Sequence, residues 1–241
     1  MFAVTLAAVL VAVPASASTV FSETFDAENG GGSAANYTGF STLQYRFGPS
    51  EADLIRNGDG GIACAGGAGS CLALDGTRAG GGYEIWTRNA YAFNPGDTVT
   101  FKLDVGGNAN SVSPDLFSFG VSFDGNLVVR DVTLTDRNGT FVIAAGDFFS
   151  SGFGSGQAVK GSDPFFTYAL SFTAVSAGMV RPVFGIPGLF VGSDDAIGPV
   201  ADNLLLDIDA AIPEPASWAL MIAGFAMTGG AVRRRAKPAL A

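Results

Sequence analysis

The chain of 241 residues contains no histidine. Ser-His-Asp and Cys-His nucleophile systems in their usual form are therefore excluded, and so are His-ligated metal centres. Carboxylates are what remains for chemistry. Glu23, Glu28, Glu51 and Glu84 are available for glycoside hydrolysis, which needs one acid and one nucleophile or base. Their separations along the chain select no pair. Trp86 stands near Tyr83 and Tyr91, a group that suits either stacking on sugar rings or ordinary packing within a sheet. Core packing is the plainer of the two. The stretch Gly58-Asp-Gly-Gly lacks the Lys-Ser/Thr that a phosphate-cradling loop requires. Cys64 and Cys71 are the only cysteines, and they lie in a Gly-rich loop. Their spacing is not Cys-x-x-Cys, and no histidine can complete a zinc set. In an oxidising compartment such a pair reads as a disulfide, worth about 2–3 kcal/mol for so small a loop. Asn36-Tyr-Thr38 and Asn138-Gly-Thr140 match glycosylation sequons and read equally as turns.

The elements that must position these groups alternate with a period of two. Val99 to Val105, Phe117 to Phe123 and Phe166 to Thr173 place apolar residues at every second position, the pattern of half-buried strands. Asp124-Gly-Asn126 predicts a hairpin returning through Leu127 to Val129, and Asp136-Arg-Asn-Gly139 predicts a second between Val132–Leu134 and Phe141–Ile143. Leu204 to Ile208 predicts a closing strand, and a first strand is expected at about Thr19. No segment of the body carries a helical period with caps. The expected fold class is all-β, an antiparallel two-sheet jelly-roll β-sandwich over residues 18–211.

Both ends read as targeting segments. An apolar run ending in Ala15-Ser-Ala17 predicts a signal peptide over residues 1–17, removed by signal peptidase. Its n-region holds no Lys or Arg. Near the other end, residues 216–232 are uncharged, and at about 1.5 Å per residue they span about 25 Å, close to the minimum for a transmembrane helix. Trp218 favours the outer interface, and Arg233, Arg234 and Arg235 hold the other end in the cytoplasm. Prolines 213 and 215 keep Glu214 extended just ahead of the span.

Pro213-Glu214-Pro215, then Ser217-Trp218-Ala219, Gly224-Phe225 and Arg233-Arg234-Arg235 together resemble the PEP-CTERM sorting signal of Gram-negative bacteria, here residues 212–241. The resemblance implies recognition by an exosortase that cuts at or beside Pro-Glu-Pro. It also implies brief residence in the inner membrane and then release or attachment at the cell surface, often where exopolysaccharide is made. A permanently anchored surface protein is the alternative. In the body, Phe21-Ser-Glu23-Thr-Phe25-Asp26 and Val200-Ala-Asp202-Asn203-Leu204 resemble the terminal strands of carbohydrate-binding-module-like jelly rolls. That second resemblance implies a structural calcium on Glu23, Asp26 and Asp202; solvated strand ends are the other reading of these acids. No other cofactor is expected. Residues 18–215 carry 22 acidic against nine basic residues, a net charge of −13, which argues against nucleic acid and polyanionic partners and favours neutral glycan or calcium-bridged contacts. The function expected is that of an exported, non-catalytic surface or matrix protein, structural, adhesive or binding surface polysaccharide. A secreted carboxylate-dependent glycan hydrolase is the rival.

Overall fold

In the long strands of the described body alternation becomes strand, and the face that is apolar in sequence is the face that is buried. In Thr98–Gly106, Val99, Phe101, Leu103 and Val105 are fully buried, while the residues between them are half-exposed. The computed structural model describes residues 18–48, 50–74, 82–111, 114–123, 128–143, 157–186, 198–211 and 221–228. Among these the strands are β1 (Ser18–Glu23), β2 (Leu43–Phe47), β3 (Asp53–Arg56), β4 (Ser70–Ala73), β5 (Tyr83–Thr87), β6 (Tyr91–Phe93) and β7 (Thr98–Gly106). They continue as β8 (Asp115–Phe123), β9 (Val129–Asp136), β10 (Gly139–Ile143), β11 (Gln157–Val159), β12 (Phe166–Ala174), β13 (Gly178–Ile186) and β14 (Val200–Asp209).

The strands form two antiparallel sheets. The larger has the order β10-β9-β12-β7-β14-β4-β3, with β1 also on β14; the smaller has the order β11-β8-β13-β5-β2, with β6 also on β13. Inner faces of both sheets meet in one aromatic-rich core. Phe117 and Phe119 of the small sheet pack edge-on against Tyr168 of the large one, with ring centroids 4.9 and 5.8 Å apart. Such pairs add stabilisation beyond their buried area. The result is an all-β sandwich. Residues Ser16–Ala210 form one compact unit.

The hairpin expected between Asp136 and Gly139 is present, with Gly139 opposite Asp136 and Phe141 opposite Leu134. The hairpin expected after Phe123 is not. β8 pairs with β13 and β11 in the small sheet, whereas β9 pairs with β10 and β12 in the large one. The chain changes sheets between them, and the residues at 124–127 lie outside the described set. Turn-prone residues mark a reversal but do not say which sheet the next strand joins.

β13 carried no strand signal, because Gly178, Pro182 and Gly185 interrupt it. Pro182 is tolerated because it sits where the neighbour on one side changes, Val183 lying opposite Trp86 of β5 and Val180 opposite Tyr91 of β6. A proline cannot donate to a ladder. Here the neighbouring side chain does so instead, Arg181 Nη1 donating to the Thr87 carbonyl at 3.1 Å and to the Arg88 carbonyl.

Residues 1–17 and the motif residues Pro213, Glu214, Pro215, Trp218, Arg233, Arg234 and Arg235 lie outside the described residues. A helix spans 221–228, with Ile222, Phe225 and Met227 exposed. Among the described residues no helix is long and apolar enough to cross a membrane.

Candidate functional site

β5 reads Tyr83-Glu-Ile-Trp-Thr87, and the pleat sends alternate side chains to opposite faces. Tyr83 and Ile85 are fully buried in the core. Glu84 and Trp86 therefore face outward from the small sheet. Across the strands the register lines up two ranks on that outer face. One runs from Glu84 through Gly185 to Ser118, and the other from Gln44 through Trp86 and Val183 to Gly120. Glycine at 185 is required, since its φ is +153° and a Cβ would collide with the Tyr83 carbonyl. The rank beside Trp86 thus has a bare floor between a carboxylate and a hydroxyl.

Charge and aromatic surface meet at Trp86. Its ring carries the Arg46 guanidinium 5.2 Å and the Arg181 guanidinium 5.0 Å from its centroid, within cation–π range. The register sets Arg46 toward the Glu84 end of β5 and Arg181 toward the Thr87 end. Arg46 Nη1 is 2.9 Å from Glu84 Oε2. Burial pushes the Glu84 carboxyl above its usual range, and Arg46 draws it part of the way back. Two polar groups of this face are buried with no hydrogen-bond partner, Trp86 Nε1 and Ser118 Oγ, although Ser118 is only 1% exposed. Each such orphan costs about 1–3 kcal/mol.

Tyr83, Trp86 and Tyr91 do not form one platform. Tyr83 belongs to the core, and Tyr91 packs against Phe21 at 5.9 Å. Grouping them by residue type hid the signal that parity gives, since 84 and 86 share a face and 83 does not.

The carboxylates singled out from sequence serve other ends. Glu23 accepts from the Phe25 backbone N–H at 2.8 Å and from the Thr42 hydroxyl. It thereby holds the buried Phe25, whose φ is +60°. Glu28 accepts from Tyr37 Oη at 2.9 Å and from the Ser41 N–H at 2.8 Å. Asp26 Oδ1 accepts from the Ser70 N–H at 2.8 Å, at a point where a side chain on Gly69 would strike the carboxylate. Asp202 accepts from the Ala65 N–H at 3.1 Å and the Asn203 N–H at 2.8 Å. Burial pushes its carboxyl up to about 7; those two N–H bonds oppose the shift, and Asp26 and Asp104 add to it. Asp26 and Asp202 thus face the same disulfide loop, while Glu23 is turned to Thr42. Among the described residues no three ligating side chains are grouped to hold a metal ion. The Glu23–Asp26–Asp202 set therefore does not assemble. Cys64 and Cys71 are bonded to each other.

A groove of about 310 Å³ lies on the outer face of the large sheet, lined by Lys102, Asp104, Thr167 and Asn203 among others. These four polar groups are already engaged. Lys102 pairs with Asp207 at 3.1 Å, and Asp104 accepts from Thr167 at 2.5 Å and from Asn203 at 2.8 Å. The Trp86 face differs in having partners missing.

No protein-family model and no curated protein matches the chain. Among solved structures it is similar to the CBM22-1 xylan-binding domain of Paenibacillus barcinonensis Xyn10C, at 14% identity and a TM-score of 0.37, over 83% of this chain and all of that one. It is similar also to the CBM22-1–GH10 modules of Clostridium thermocellum xylanase 10B, solved with xylohexaose, at 12% identity and a TM-score of 0.37, over 83% of this chain and 29% of that one. What the Trp86 face can bind follows from its own side chains.

Proposed function

We propose that the protein is an exported surface or matrix component whose jelly-roll body binds glycan, without catalysis, on the outer face of the small sheet. The supporting observation is the half-buried Trp86 ring on that face, set among Gln44, Glu84, Arg46 and Arg181 beside a glycine floor. Sugar sites combine an aromatic surface with a few fixed polar groups. The terminal segments support export by signal peptidase and sorting by an exosortase through Pro213-Glu214-Pro215. A calcium ion, if bound, would rest on Asp26 and Asp202 without Glu23.

Affinity electrophoresis of the full-length chain in gels containing soluble polysaccharides tests the binding face. Trp86→Ala should weaken retardation about 30-fold or more, the loss typical of a buried aromatic anchor, with a melting temperature close to that of the parent. Retardation unchanged by Trp86→Ala refutes the assignment. Release of reducing sugar, abolished by Glu84→Gln, would instead make the protein a hydrolase, which needs a second carboxylate about 5–10 Å away.

A further inference from the structure

We infer that the glycan taken by the Trp86 face carries carboxylates, and that the Arg181 guanidinium receives one of them. This rests on the glycan-binding reading of the same face. The unmet polar groups here are mostly donors. An indole N–H has no acceptor capacity and neither has a guanidinium. Trp86 Nε1 is buried out of a ligand's reach, so the donors that count are those of Arg181. Arg181 uses Nη1 alone, on the Thr87 and Arg88 carbonyls. Its Nε and Nη2 have no partner among the described residues, and that pair of donors makes the fork which grips a carboxylate through two parallel bonds. Among the described residues Arg46 pairs with Glu84, Lys102 with Asp207, Arg130 with Asp131 and Arg137 with Asp163, while Arg56, Arg88 and Lys160 are in no ion pair. Arg181 likewise has none.

Local charge agrees. On the outward positions described for the small sheet, Arg46 and Arg181 stand against the single carboxylate Glu84, and Gln44, Leu116, Ser118, Ser122, Ala158 and Val183 are uncharged. This face therefore holds a positive surplus on a body, residues 18–211, whose net charge is −12. Arg181 is also held in place before any ligand arrives, by the Trp86 ring at 5.0 Å and by the carbonyls it bonds. Little rotamer entropy remains to be lost when a carboxylate binds. The net charge of the whole chain pointed away from polyanions; the distribution of that charge reverses the expectation at this one face.

Three polyuronates, of galacturonate, glucuronate and mannuronate, and each polymer after chemical reduction of its carboxyls to hydroxymethyl groups, form the test. Binding to the purified full-length chain is measured at 0.15 M salt with a chelator present, so that calcium cannot bridge two carboxylates. At least one polyuronate should bind about tenfold or more tighter than its reduced form, the scale of one charge-assisted bidentate contact. Arg181→Lys, which keeps the charge and loses the fork, should bring the ratio of polyuronate to reduced-polymer affinity down to about threefold or less. Equal, Trp86-dependent binding of acidic and reduced forms overturns this inference and leaves glycan binding standing. Absence of binding to all six polymers overturns it as well, and binding to them that ignores Trp86→Ala overturns the binding face itself. The comparison of polymers uses the unaltered chain, so it decides the matter even if the Arg181 variant folds poorly.

Discussion

Asp202 is a residue whose environment strongly alters its chemistry. Its ordinary value is 3.8 and its folded value about 7. Between the two, the native chain keeps a proton that the unfolded chain has lost. The stabilising contribution is therefore complete below about pH 4 and disappears as pH rises through 7. With a chelator present, the melting temperature should fall from pH 5 to pH 8, and Asp202→Asn should flatten that fall. The slope is the quantity to compare, because the amide of asparagine turns donors toward one of the two N–H groups that the carboxylate accepts from. An equal slope in parent and variant contradicts the raised value. Millimolar calcium at pH 8 should raise the melting temperature of the parent and leave that of the variant unmoved if Asp26 and Asp202 share an ion; no calcium effect in the parent removes the metal.

At the scale of elements, the 64–71 loop joins the two sides of that acidic corner. Its disulfide ties Cys71 of β4 to Cys64, whose neighbour Ala65 donates to Asp202 of β14. Reduction should lower unfolding free energy by about 2–3 kcal/mol, read as a shift of the urea midpoint with unchanged slope; a shift below 0.5 kcal/mol would mean the loop is held by its hydrogen bonds alone. The sequence made long, two-faced strands legible, since β7 and β12 alternate along their length and β8 alternates in sequence from Phe117 to Phe123. Sheet membership was not legible, because β8 and β9 alternate alike and only long-range pairing separates them. β13 was hidden for a different reason. Its proline and glycines are tolerated only at the places where a neighbour ends or a backbone comes close, which are properties of the assembled sheet. The Trp86 face was half legible. Parity within β5 puts Glu84 and Trp86 on one face, a signal that grouping Trp86 with Tyr83 and Tyr91 passes over, and nothing in the chain order announces that Arg46, Arg181 and Ser118 arrive beside them from three other strands.

The whole molecule divides its charge unevenly and puts its first and last body strands side by side. Mass spectrometry of the protein recovered from the cell surface or medium should give a mature C-terminus near Pro213 to Pro215 and an N-terminus near Ser18; an intact tail on surface-exposed protein contradicts exosortase processing. β14 is an interior strand of the large sheet, flanked by β7 and β4 and paired also with β1, with Ser18 opposite Ile208. Its last residue, Asp209, leads directly into the segment that precedes Pro213. If that segment tethers the body to a cell, any pull along the axis of β14 enters the body at Asp209. The rungs joining it to its neighbours lie across that pull. They must shear together instead of peeling in turn, so the strand nearest the tether is the one that gives way last.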